Sequence, residues 1–113
     1  MSILTYLFGS KANTNKAITI LNSTEFKNKI EHTNVQLIDV RTPNEYKNGH
    51  IKNAINIDFF SRDFMSNFDN LNRDEAIYIY CRSGSRSRKS ANKLASVGFT
   101  KIYDLKGGIL GYN

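Results

Sequence analysis

Hydrophobic residues in this chain come in short runs separated by stretches of helical period, and that alternation predicts the fold. Ala17 to Leu21 reads as a short strand. Asn22 stands three positions before Glu25, the spacing of a capping box, and Phe26 and Ile30 share one face of the helix that follows. Val35-Gln36-Leu37-Ile38-Asp39-Val40 predicts a strand with too little alternation to be half exposed, so it belongs in mid-sheet, covered on both sides. Thr42-Pro43-Asn44-Glu45 predicts a second helix start: Thr42 fits the N-cap, Pro43 the first helical position and Glu45 the reciprocal cap. Gly49 ends that helix. Ala54 to Ile57 predicts another strand, and the aromatic-rich stretch Phe59 to Phe68 a helical segment in the core. Ala76 to Tyr80 is a run of β-formers leading directly into Cys81. Ser87 to Val97 predicts a helix with Ser87, Ala91, Leu94 and Ala95 on a narrow face and Gly98 as its stop. Ile102 and Tyr103 predict a last strand, and Gly107-Gly108 a turn before a short tail.

Strands alternating with helices predict the α/β class, a single domain with a mostly parallel central sheet and helices on both faces. A length of 113 residues fits one core. The domain is expected over residues 17–113, with residues 1–16 as an N-terminal arm and linker. The arm, Met1 to Phe8, is apolar but short and lacks a basic leading region, so it reads as a packing or interaction segment rather than a signal peptide. No apolar run has the length of a membrane span. A hydrophobic content of 40% and a charged content of 23% read as an ordinary soluble chain. The single cysteine excludes an internal disulfide and makes the cytoplasm the expected location. A net charge of +6 raises nucleic acid as a partner, but the cations are spread along the chain without interleaved aromatics, which argues against it. The exception is Arg82, Arg86, Arg88 and Lys89, which point to an anion near Cys81.

Ligands of open parallel sheets bind beyond the carboxyl ends of the strands. Asp39 ends one expected strand there, and Cys81 follows another. The segment Cys81-Arg82-Ser83-Gly84-Ser85-Arg86 puts the thiol at a strand exit, before small residues that turn tightly, with Gly84 free to take positive φ. Loop N–H groups and a helix N-terminus both favour negative charge, hence a thiolate. The bland alternative, a lone cysteine serving as an inert buried hydrophobe, fits poorly with polar, cationic neighbours, which read as a loop near solvent. Cations in the first turn of a helix cost ~0.3–1 kcal/mol each, and an anion site would explain their placement. Among the other polar residues, Arg41 pairing with Glu45 beside a helix start reads as structural, His50 as bonded to backbone and His32 as a solvated helix end. Two separated histidines and one cysteine give no metal-ligand spacing, and no Ser–His–Asp set emerges.

Cys81 to Ser87 resembles the active-site loop of rhodanese-type sulfurtransferases. Asp39-Val40-Arg41, Glu45-Tyr46, Gly49-His50-Ile51, Ala54 and Asn56-Ile57 resemble the upstream motif of that family, and Leu105, Gly107 and Gly108 its closing segment. The likeness spans Ile18 to Tyr112, and Tyr112 stands where the family commonly has tryptophan. Many relatives carry two such domains, and this chain has one. The resemblance implies a single-domain rhodanese-like sulfurtransferase with Cys81 as the catalytic residue and Arg82, Ser83, Gly84, Ser85 and Arg86 binding the substrate. Cys81 would take sulfane sulfur from a small anionic donor such as thiosulfate and hold it as a persulfide. A thiol or cyanide acceptor would then remove it, with no cofactor or metal. A sulfur-relay protein as partner, and a non-catalytic interaction module on the same fold, remain alternatives. Only four residues separate Cys81 from Arg86. By resemblance that ring suits an outer sulfur better than a tetrahedral oxyanion, which puts phosphatase and arsenate reductase chemistry behind sulfur transfer.

Overall fold

Ile77–Tyr80, all four residues buried, form the middle strand around which the other elements assemble. The computed structural model describes residues 15–112; the arm Met1 to Phe8 lies outside them, as does most of the expected linker. In chain order the elements are β1 (Ile18–Leu21), α1 (Ser23–Glu31), β2 (Gln36–Asp39), α2 (Pro43–Lys47), β3 (Ile55–Asn56), β4 (Ile77–Tyr80), α3 (Ser85–Ser96) and β5 (Ile102–Leu105). The strands form one parallel sheet in the order β1-β5-β4-β2-β3. Both edge strands are short, which limits the unpaired backbone they offer to other chains. No helix among the described residues is long and apolar enough to cross a membrane.

Alternation along the strands divides the core into two layers. Ile38, Val40, Ile77, Ile79 and Cys81 face the α3 side, where Ala91, Leu94, Phe64, Phe68 and Phe99 complete the packing. Leu37, Tyr78 and Tyr80 face the α1 side with Phe26 and Leu105. Phe26 meets Tyr78 and Tyr112 edge-on, at 5.7 and 6.4 Å between ring centroids, so Tyr112 closes the fold against α1.

Both capping boxes expected from the sequence are present, at Asn22 with Glu25 and at Thr42 with Glu45. The stretch from Phe59 to Phe68 is not the expected helix. It is a succession of turns ending in one 3-10 turn, Ser66–Phe68. Edge-to-face contacts run instead from Phe59 to Phe64, Phe68 and Phe99 at 5.2–6.4 Å, so tertiary aromatic packing holds this segment in place of helical hydrogen bonds. α3 starts at Ser85, two residues before the expected start at Ser87.

A buried polar cluster fixes the carboxyl ends of β2 and β4. Asp39, fully buried, takes the Arg41 guanidinium through both carboxylate oxygens at 2.7–3.1 Å. The Tyr80 hydroxyl donates to Asp39 at 2.8 Å and accepts the Ile51 N–H at 3.0 Å. Burial pushes the Tyr80 phenol well above its ordinary value, which keeps it a donor. Arg41 also donates to the Gly49 carbonyl at 2.7 Å, and the Asn56 amide to the carbonyls of Asp39 and Arg41. The expected Arg41–Glu45 pair is therefore not formed: the buried partner of Arg41 is Asp39, two residues away. Asp39→Ala leaves the Arg41 guanidinium buried and unpaired and is expected to cost about 3–5 kcal/mol in urea unfolding. Tyr80→Phe should cost about 1–3 kcal/mol, because the Ile51 N–H and one Asp39 oxygen lose their partner.

Candidate active site

Cys81 is the first residue after β4, and the strand alternation turns its side chain into the α3 layer, where it is only 1% exposed. Arg82, Ser83 and Ser85 around it are exposed, so the loop is at the surface while its sulfur is not. The loop is near solvent as expected, and the thiol itself is buried beneath it. Gly84 takes φ 113° and ψ −17°, a left-handed conformation that opens α3 without a side-chain cap. Its N–H thereby donates to the Cys81 Sγ at 3.1 Å.

The direction of the other loop donors follows from what holds the carbonyls. The Cys81 carbonyl accepts the Ile109 N–H at 2.9 Å, the Arg82 carbonyl the Leu110 N–H at 3.1 Å, and the Gly84 carbonyl the Arg88 N–H at 3.0 Å. Among the described residues, no carbonyl takes the N–H groups of Arg82, Ser83, Ser85 or Arg86. The Gly84 N–H is thus the loop donor on the sulfur, and the four N–H groups without a carbonyl partner among the described residues belong to the same turn and the start of α3, a backbone segment suited to negative charge. The closing segment reaches the loop only because residue 108 is glycine. A Cβ there would fall inside contact distance of the Arg82 carbonyl, and its φ of 66° lies in the left-handed region.

Carboxylates, rather than a ligand, account for two of the cations at the start of α3. Arg86 donates to both oxygens of Glu45, at 2.8 and 3.0 Å. This pair is bidentate and mostly shielded, with side chains 20% and 27% exposed. Arg86 first, and then Thr42, holds the Glu45 carboxyl down to about 2 against its burial. Glu45 in turn raises Arg86. Arg88 pairs with the buried Asp104 at 2.9 Å, and Ser87 donates to the same carboxylate at 2.6 Å. Burial pushes Asp104 up, opposed by Ser87 and Arg88. Arg82 and Lys89 make no ion pair among the described residues.

Of the six residues the sequence singles out, Cys81 to Gly84 form the loop and Ser85 and Arg86 open α3, and they are not equivalent. Arg86 is a strut between the loop and α2, and Arg82 is its free cation. The sequence reading did not pair Glu45 with Arg86 or assign Asp104, Ile109 and Leu110 to the site. The capping box at Thr42 located Glu45, and the glycine pair located the closing segment, but nothing local showed that either reaches Cys81. His50 bonds the Tyr46 carbonyl through Nδ1 at 2.8 Å and stacks on that ring, as expected of a structural histidine. His32 is exposed at the end of α1. A groove of about 920 Å³ runs between the end of α1 and residues 50–53, and no residue from 81 to 86 lines it. No group of three metal-ligating side chains occurs among the described residues.

Comparison with known proteins gives four findings. Residues 22–113 match the family described as Rhodanese-like domain. The protein YqhL of Bacillus subtilis (strain 168) is 35% identical over 107 residues, 95% of this chain and 82% of its own length. A tRNA uridine(34) hydroxylase of Ehrlichia canis (strain Jake) is 40% identical over 89 residues, which are 74% of this chain but only 32% of that protein. Among solved structures, a rhodanese-like domain protein from Staphylococcus aureus has a TM-score of 0.74 at 31% identity, covering 84% of this chain and 91% of that one.

The strut between Glu45 and Arg86 carries a pH signature. The depressed carboxyl contributes stability that is complete above its ordinary value of 4.5 and is lost as pH falls toward about 2. Glu45→Gln keeps an acceptor for the Thr42 N–H and removes the charge. It is expected to lower stability at neutral pH by about 1–2 kcal/mol, between the ranges of exposed and buried pairs. Urea unfolding from pH 7 to 2 should show that difference closing in the acid range, and a pH-independent difference would contradict the ion-pair assignment.

Proposed function

The chain belongs to the rhodanese-like domain family, and from that membership we propose that it is a sulfurtransferase with Cys81 as its sulfur carrier. The observation that carries the proposal is the Gly84 N–H on Sγ, in a loop where the carbonyls of Cys81, Arg82 and Gly84 are bonded to Ile109, Leu110 and Arg88. In the first step the Cys81 thiolate attacks the outer sulfur of thiosulfate. The S–S bond of the donor breaks, its electron pair leaves on sulfite, and Cys81–S–S⁻ remains. In the second step an acceptor nucleophile, cyanide or a thiolate, bonds to the outer sulfur and the Cys81 thiolate is regenerated. Covalent catalysis of this kind divides one transfer into two displacements.

The N–H groups of Arg82, Ser83, Ser85 and Arg86 are the donors for the terminal sulfur's charge, as an oxyanion hole is for oxygen. With the Arg86 guanidinium engaged by Glu45, its side chain holds the ring in shape, and attraction of an anionic donor falls to Arg82. No proton-transfer residue is needed, since a thiolate both attacks and leaves.

A second reading comes from the tRNA uridine(34) hydroxylases that this chain resembles over part of their length: the same cysteine would serve a tRNA-modifying reaction. Mass analysis of nucleosides from tRNA treated with the protein separates the two readings. A gain of oxygen on uridine would favour that one.

Thiosulfate is expected to add one sulfur to the mass of the intact chain and cyanide to remove it as thiocyanate. Cys81→Ser should abolish both, and uptake by that variant at the native rate would end the sulfurtransferase reading. Arg82→Gln should raise KM for thiosulfate roughly threefold to tenfold, the range of a partly screened ion contact, and leave KM for an uncharged organic polysulfide unchanged. Equal effects on the two donors would remove Arg82 from the binding step.

A further inference from the structure

We propose that the rim around Cys81 docks an acidic protein segment that presents an acceptor thiol beside an apolar side chain. The proposal rests on the persulfide reading above and names its acceptor class. Phe60 and Leu110 are the two most exposed large hydrophobic residues described, at 68% and 62%. Exposed apolar side chains scattered singly need no explanation. These two are joined to the two ends of one loop. The Leu110 N–H bonds the Arg82 carbonyl at 3.1 Å, and the Arg86 guanidinium lies 5.8 Å from the Phe60 ring centroid.

Charge decides what covers this rim. Glu45 and Asp104 neutralise Arg86 and Arg88, which leaves Arg82 and Lys89 as the exposed cations of the loop and the first turn of α3 that make no ion pair among the described residues. Lys89 follows Arg86 by three positions and so lies on the same side of the helix. The nearest carboxylate in sequence to Phe60, Asp58, accepts the Phe60 N–H. An acidic partner is favoured electrostatically, and the apolar pair supplies contact area. Nucleic acid is a poorer fit. Single-stranded nucleic acid stacks successive bases on several aromatic faces, and among the described residues Phe60 is the only exposed phenylalanine or tyrosine. Because Cys81 is only 1% exposed, the acceptor thiol must sit on a narrow, projecting segment.

The transfer step balances without an added oxidant or reductant. The acceptor thiol gives its proton to solvent, and its thiolate bonds to the outer sulfur of Cys81–S–S⁻. The Cys81 S–S bond breaks, its electron pair returns to Sγ, and the acceptor leaves as a persulfide.

The test uses the full chain, loaded from thiosulfate and checked by intact mass before any acceptor is added. Failure to load would overturn the sulfurtransferase reading itself and is read separately. Acceptors are then cyanide and three short cysteine peptides: one with two glutamates and a leucine, one with lysines for the glutamates, and one with serine for the leucine. The acidic leucine peptide is expected to show a KM roughly fivefold or more below both counterparts, about 1 kcal/mol at 1.4 kcal/mol per tenfold. Phe60→Ser and Leu110→Ser should each move that preference toward unity. For Phe60→Ser, thiosulfate-to-cyanide turnover, which also reports folding, should stay within about twofold, since that side chain is exposed and lies outside the segment that holds the loop carbonyls. Equal KM for the three peptides, or a preference untouched by both variants, would overturn the proposal. So would a dimer that both variants abolish, which would assign the rim to a second copy. Stronger competition by a single-stranded RNA than by the acidic peptide would assign it to nucleic acid and overturn it equally.

Discussion

The shape of the loop after Cys81 depends on where its carbonyls are held. Every peptide in a tight loop offers a donor on one side and an acceptor on the other, and buried groups of either kind must be paired. Ile109 and Leu110 take the carbonyls of Cys81 and Arg82, and the first turn of α3 takes that of Gly84. With these three acceptors bonded elsewhere, the Gly84 N–H turns to the sulfur. Two glycines make this possible: Gly84 by its left-handed conformation, and Gly108 by allowing the closing segment to approach the backbone of the loop. The site is therefore a product of β4, α3 and the segment after β5 together. The six loop residues alone do not define its shape.

Electrostatics then sets which charges remain available. A helix that begins with Arg86, Arg88 and Lys89 opposes its own dipole. Glu45 and Asp104 offset that opposition from two different elements, α2 and β5. Each pair also ties α3 to a neighbour, so the carboxylates do structural work that an anionic ligand would do only while bound. Glu45 is itself held by the Thr42 capping box, and the chain around it by the Asp39–Arg41–Tyr80 cluster. An unbroken path of hydrogen bonds and short chain segments leads from buried Asp39 to the start of α3.

What the sequence revealed follows the range of each interaction. The capping boxes at Asn22 and Thr42 were legible because both partners lie within three residues. The strand into Cys81 and the α/β class were legible from apolar runs and their spacing. The pairs that build the site join residues far apart in the chain: Glu45 to Arg86, Asp39 to Tyr80, Ser87 to Asp104. None can be read before the strand order is known, since adjacency in the sheet, and not sequence, brings them together. Arg41 was assigned to Glu45 because that carboxylate stands at helix spacing, whereas the buried Asp39 offered both of its oxygens and a dry site. The segment from Phe59 to Phe68 was misread for a related reason. Its aromatics suit a helical face, but their packing against Phe99 requires turns. The start of α3 was placed too late because Gly84, read only as a loop residue, also serves as the residue that opens the helix.

Burial of the sulfur and exposure of its rim separate two tasks that small enzymes often combine. The backbone donors that would stabilise a persulfide are fixed by Ile109, Leu110 and the Glu45–Arg86 strut, none of which needs an acceptor in place. Changing the acceptor therefore leaves the charge-stabilising array as it is. On the proposed sulfur transfer, discrimination among acceptors would come from side chains outside that array, such as those of Phe60 and Lys89. Arg82 belongs to both sets, through its backbone N–H to the ring and through its guanidinium to the rim. A substitution at that position alters the charge met by an incoming donor or acceptor while preserving the backbone N–H. Selectivity in such a site can diverge between related chains without loss of the underlying chemistry.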